Sequence, residues 1–330
     1  RALYWSVILG SRETLSWLVN RYLSSSSKVS LTTEDLYPLA AFVGISPFHR
    51  VSITEGWDGV YSTDGKNIIF IRQRGSSDDP DPYFYIKDRS TGIENPLMKA
   101  YQQGLWIIAK PFFSSDSKTL YFFGSTEKGA QLGIKGMFYL YEVEPRWGAE
   151  GRRISDPDIL PILPFPTAKG TLLAVRRDLG SVRASVEVVE IDPKKRSKTT
   201  VIRIGEPVIT GCFTPQGDSL MFITERGLMK RALTGGGVVV DLEWKRLNLC
   251  YLSPDGRWLL LGRQPQDLYL IDRINQKVFF LGEWTTSQFS IWRKTLLITF
   301  KEGGKLRLWE YDLSRPMEDL ALLKEKLQSL

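Results

Sequence analysis

The chain has 330 residues, of which 42% are hydrophobic and 25% charged, ordinary globular values for one large domain or two smaller ones. Its 44 Lys and Arg against 37 Asp and Glu leave a net charge of +7, a modest excess that favours solubility. One histidine and two cysteines exclude metal centres built from His and Cys clusters. They also leave any Ser-His-Asp or Cys-His catalysis dependent on His49 alone.

Residues 2–10 form an apolar stretch too short to span a bilayer. It reads as the tail of an upstream anchor or signal segment, or as a strand or helix docked on the main domain. Ser11 is placed to cap a helix to about Leu23, with Leu15, Leu18, Val19 and Tyr22 on one face. The serine run 24–27 breaks it. Thr32 with Asp35 resembles a capping box opening a short helix towards Ala41, with Pro38 inside it.

Residues 49–54 (HRVSIT) read as a strand with no hairpin partner of its own. From there a unit repeats. Residues 61–71 (YSTDGKNIIFI), 113–123 (FSSDSKTLYFF), 213–223 (FTPQGDSLMFI) and 251–262 (YLSPDGRWLLLG) each read strand, tight turn, strand. In the last of these, Pro254 presets φ, Asp255 is able to bond nearby backbone, and Gly256 tolerates positive φ. Residues 166–175 keep the glycine, and residues 291–300 keep only the strand. With the turn residue taken as Gly65, Ser117, Gly170, Gly217, Gly256 and Lys294, the steps are 52, 53, 47, 39 and 38 residues. Units of about 40–50 residues holding several short strands are the signature of propeller blades.

Each hairpin is followed by another apolar strand, such as 83–88, 186–192, 267–272 and 306–312. Asp88, Asp192, Asp272 and Asp312 end these strands, where a carboxylate caps a turn. The expected fold is therefore all-β, a six-bladed β-propeller over 49–313. A helical extension over 1–48 precedes it, and a C-terminal helix over 314–330 comes after it. The last unit has room for only three strands, so the strand at 49–54 is expected to complete it and close the ring.

Cys212 and Cys250 lie in the first strands of their units, five and six residues before the turn glycine. Strand parity points them to opposite faces, so a disulfide would need a bulge and two buried free thiols are expected. The compartment is left open by this count. The acidic run 78–81, with Pro80 inside it, Pro82 directly after it and no glycine turn, is a poor match to a calcium loop. Gly235–Gly237 lacks the lysine and helix of a phosphate loop and reads as a hairpin turn.

The Ser-Pro-Asp-Gly-x-x-Leu turn followed by Leu-Tyr-Leu-Ile-Asp (268–272) resembles the blades of TolB-type, WD-repeat-like β-propellers. The resemblance runs from about residue 50 to 313. The N-terminal segment is too small for the α/β domain that TolB carries ahead of its propeller. What the resemblance implies is a rigid ring that occurs in scaffolds, in periplasmic proteins and beside peptidase domains. It carries no catalytic residue over to this chain.

Function is expected to be non-catalytic: a scaffold that binds another protein, as a subunit of a cell-envelope assembly. Its location is then periplasmic or extracytoplasmic, with the cytoplasm left open and membrane attachment assigned to a segment upstream of Arg1. No cofactor is expected. One candidate contact is the basic run Lys194, Lys195, Arg196 and Lys198 with Arg152 and Arg153, which suits an acidic protein or anionic headgroups. Nucleic acid is disfavoured, because the run is short and lacks an exposed stacking platform. The other is a helix opening near Pro316, with Leu320, Leu323, Leu327 and Leu330 at heptad spacing. The alternative is a propeller enzyme, either a hydrolase or lyase in the central channel or the propeller part of a prolyl-oligopeptidase-like protein.

Overall fold

The computed structural model describes residues 46–74, 81–127, 137–177, 185–264, 266–283, 288–316 and Glu325. They form six four-stranded antiparallel sheets, the blades of a propeller. Strand β1 (Phe48–Glu55) comes first. Blade one is β2–β5 over 57–99, blade two β6–β9 over 107–153, and blade three β10–β13 over 165–204. Blade four is β14–β17 over 210–242 and blade five β18–β21 over 247–283. Blade six contains β22 (Ser290–Trp292), β23 (Thr295–Glu302) and β24 (Lys305–Pro316), with β1 added as its outer strand. The expected six-bladed ring is present. The expected N- and C-terminal helices fall mostly outside the described residues; where they are described, Phe48 belongs to β1, Ser314–Pro316 continue β24, and Glu325 is helical.

The second strand of each blade is buried along 68–71, 120–123, 172–175, 220–223, 259–261 and 296–298. These runs are apolar at consecutive positions rather than alternate ones, because both faces of each sheet are covered by neighbouring blades. Side chains alternate between the two neighbours. On β2 (Trp57–Tyr61), Val60 lies in one core with Leu120 and Phe122 of the next blade, whereas Tyr61 packs with Leu297 and Leu308 of blade six.

The ring closes by the expected route. β1 pairs antiparallel with β24, with Arg50 opposite Tyr311 and Val51 opposite Glu310. The Arg50 guanidinium lies 4.5 Å over the Trp309 ring and donates to the Tyr311 hydroxyl at 3.1 Å. Phe48 meets Phe279 of blade five at 4.8 Å between ring centroids. On the other side, Glu310 accepts hydrogen bonds from Tyr61 at 2.8 Å and Arg89 at 2.8 Å, both of blade one. The last blade is thereby fastened to both neighbours, and its outer edge is covered by a strand from the other end of the ring.

Candidate functional site

The turn that joins the first two strands of each of blades one to five is built in one way. Its first residue is Ser62, Ser114, Thr167, Thr214 or Ser253. In blade five the Ser253 hydroxyl accepts the Trp258 N–H at 2.8 Å and donates to Asp255. Asp255 accepts the Arg257 N–H at 3.0 Å, and the Ser253 carbonyl accepts the Gly256 N–H at 2.8 Å. The hydroxyl residue, not read from the sequence, ties the turn across its base. The left-handed residue falls where expected at Gly65, Ser117, Gly170, Gly217 and Gly256, but in blade six it is Arg293 rather than Lys294. That turn has only two residues between its paired strands, Trp292 and Thr295, so the conformation shifts by one.

The turn aspartates do what capping requires. Asp88 accepts the N–H groups of Ser90 and Thr91, and Asp192 those of Lys194 and Lys195. Asp272 accepts from Ile274 and Asn275, and Asp312 from Ser314. The Ser90 hydroxyl and Thr91 N–H hold the Asp88 carboxyl down at about 2.

Near the axis, each blade contributes one residue from its first strand or, for Leu163 and Gln288, from the segment just before it. These are Asp58, Lys110, Leu163, Thr210 and Leu249, each seven positions before its turn residue, and Gln288 in blade six. Lys110, Leu163, Thr210, Leu249 and Gln288 surround a single void of about 20 Å³, room for roughly one water. Asp58 and Lys110 have positive φ, 50° and 48°. Both coincide with irregularities in pairing between Trp57 and Val60 and between Ala109 and Phe112, and such bulges re-aim side chains. Asp58 accepts the Lys110 N–H at 3.2 Å. Lys110 stays partly exposed along its length but donates its ammonium to the Pro161 carbonyl. Burial pushes this amine down to about 8, against the pull of the nearby Asp58 carboxylate. Burial also pushes the Asp58 carboxyl up, against the Lys110 backbone N–H and the Lys110 charge. The Gln288 amide donates to the Pro111 carbonyl, and its buried oxygen is without a hydrogen-bond partner.

The ring escapes sequence reading because its members share a position and no chemistry. The available signal is the seven-residue offset from the turn glycine.

On the turn side the axis widens into a funnel of about 240 Å³. Its walls are apolar, with Phe112, Phe165, Phe213 and Tyr251 below the turn prolines Pro215 and Pro254. Turns between third and fourth strands lie on this same face, since alternate connections of an antiparallel sheet share an end. Three of them carry exposed Ile93, Trp147 and Ile274.

The structure joins the two parts of the basic candidate site. Arg152 reaches from blade two to the Pro193 carbonyl of blade three, beside Lys194–Lys198. Several of these cations already have internal partners. Arg152 pairs with Glu142, Lys195 with Asp192, and Lys198 with Asp156 at 2.6 Å and Asp158 at 3.3 Å. Arg153 lies 4.8 Å over the Tyr139 ring, and Arg196 takes a positive φ of 54° in the turn. Leu320, Leu323, Leu327 and Leu330 lie outside the described residues, as do Asp78 and Asp79. His49 is exposed on β1 opposite Asp312. Among the described residues no helix is long and apolar enough to cross a membrane.

Cys212 and Cys250 are buried free thiols, as expected. Their expected separation is corrected by the stacking of blades. Cys212 sits beside Phe213, which packs towards blade three, so it faces blade five. Cys250 sits between Leu249 and Tyr251, which pack towards blade six, so it faces blade four. Opposite faces of adjacent blades are the faces that meet, and the two sulfurs are 2.8 Å apart.

No protein-family model matches the chain, and no curated protein matches it. Among solved structures it is similar to a putative TolB from Agrobacterium tumefaciens, at 14% identity and a TM-score of 0.50 over 84% of this chain and 93% of that one. It is also similar to an oligogalacturonate lyase from Vibrio parahaemolyticus, at 12% identity and a TM-score of 0.50 over 82% and 91%. At such identities the likeness is one of architecture, and the six-bladed TolB-type propeller is the fold of this chain.

Proposed function

We propose that this chain is a non-catalytic propeller that binds another protein on its turn face. The carrying observation is the contrast along the axis. The constriction leaves about 20 Å³, less than a substrate needs. The turn face offers a larger apolar funnel, and the outer turns on the same face carry exposed Ile93, Trp147 and Ile274. Exposed apolar anchors beside an apolar concavity are what a protein contact uses. The internal ion pairs of Arg152, Lys195 and Lys198 make the basic run a weaker candidate for the main contact. We further propose an extracytoplasmic location in an envelope assembly, in line with the TolB-type resemblance; fractionation of the native source checks it.

The test is capture from that source at low and high salt, with Pro215→Glu beside the wild type. A partner held in high salt by the wild type and lost by Pro215→Glu supports the reading, because an apolar contact resists screening. Equal capture by both proteins, or turnover of an ester, lactone or glycoside that a Lys110 or Asp58 substitution abolishes, overturns it.

A further inference from the structure

We propose that Cys212 and Cys250 form a thiol–disulfide centre that fastens blade four to blade five. The two residues lie on the first strands of adjacent blades, β14 (Thr210–Phe213) and β18 (Leu247–Leu252). Those strands belong to different sheets and share no ladder. Both thiols are buried, at 5% exposure each, with their sulfurs 2.8 Å apart. Movement of less than about 1 Å brings them to the disulfide length of about 2.05 Å. Both line the axial void, and Cys212 also lines the turn-face funnel. Cys212 is thus the sulfur a small oxidant meets first. The hydrogen bond with Cys212, together with burial, holds the Cys250 thiol protonated well above its usual range, so Cys250 is the slower nucleophile and reacts second.

The oxidant is a disulfide of a small thiol. Cys212 loses its proton and its sulfur attacks one oxidant sulfur, breaking the oxidant S–S bond and expelling one thiolate. Cys250 then loses its proton and attacks the Cys212 sulfur of the mixed disulfide, expelling the second thiolate. Two protein thiols are oxidised to one disulfide, one oxidant disulfide is reduced to two thiols, and the two protons end on the expelled thiolates. The funnel admits the reacting end of such a thiol. The product would cross-link the wall of the funnel to the axial ring, so redox state would set the rigidity of the proposed binding face.

The experiment equilibrates the full chain with reduced and oxidised glutathione at several ratios, quenches with acid, and alkylates in denaturant. Mass spectrometry then counts the alkylated thiols. The expected result is paired loss of both, with a cross-linked peptide joining Cys212 to Cys250. Oxidation should also raise the thermal midpoint by about 5–10 °C, reversibly with dithiothreitol, since closing a loop of this length restrains the unfolded chain. Cys212→Ala should abolish that rise; if this variant does not fold, the alkylation count on the wild type decides. Two alkylatable thiols at every ratio, a stable single glutathione adduct or an intermolecular dimer overturns the proposal. The count depends on no partner, so it fails independently of the binding function.

Discussion

Gln288 of blade six donates its side-chain amide to the carbonyl of Pro111 in blade two, reaching past blade one. Few side chains in a ring join blades that are not neighbours. Gln288 does so because it stands on the axis, where all first strands converge. Its oxygen is left unpartnered beside the void, which is polar enough there to take a water.

Gln288→Leu should destabilise the protein by about 1–3 kcal/mol, the usual cost of stranding a buried carbonyl. Urea unfolding measures it. An unchanged midpoint would mean that the Pro111 carbonyl finds another donor.

Lys110 predicts a pH dependence with a definite sign. Its folded-state value is about 8, and an unfolded lysine titrates near about 10.4. Between those values the unfolded chain binds the extra proton, so stability should rise with pH. The difference between wild type and Lys110→Met isolates this group. Thermal midpoints from about pH 7.5 to 10 should show the wild type gaining on the variant; a difference that is flat or falls refutes the assignment.

Two glycines with nearly equal φ separate strain from crowding. Gly65 has φ 69° and Gly92 has φ 72°. A Cβ at Gly65 would sit 2.1 Å from the Trp292 ring, whereas one at Gly92 meets nothing within 4 Å. Gly92→Ala should cost about 1–2 kcal/mol from backbone conformation alone. Gly65→Ala should exceed it by about 1–3 kcal/mol for overpacking. Equal losses in denaturant unfolding would show that Trp292 swings away freely.

Removing β1 tests closure. A chain beginning at Gly56 would bare the edge of β24 and lose the Arg50 contacts with Trp309 and Tyr311. Aggregation on gel filtration, or a thermal midpoint lower by at least about 10 °C, is expected. A monomer with the parent midpoint would show that the ring closes without this strand.

The architecture was legible because each blade repeats a local solution. A turn that demands left-handed backbone leaves Gly65, Gly170, Gly217 and Gly256 at readable spacing, and Ser117 marks the same place by its neighbours. The closing strand was legible by subtraction, since residues 49–54 had no hairpin and the last unit lacked a fourth strand. The axial ring was not legible, because its members touch only through the fold and share no residue type. The two thiols are buried and free as expected, but their facing was misread for a related reason: parity within one strand says nothing about which faces of two stacked sheets meet.

Strand β1 enters at Phe48 opposite Pro316, where β24 leaves. The ladder that closes the ring thus has both of its free ends at one corner. Tension drawn between those ends would load the hydrogen bonds singly, from the corner inward, as a zipper rather than a shear joint. The same strand pair that secures the ring at rest would be the first to separate under pull. A propeller tethered through both flanks would therefore yield at blade six long before its other blades felt the force.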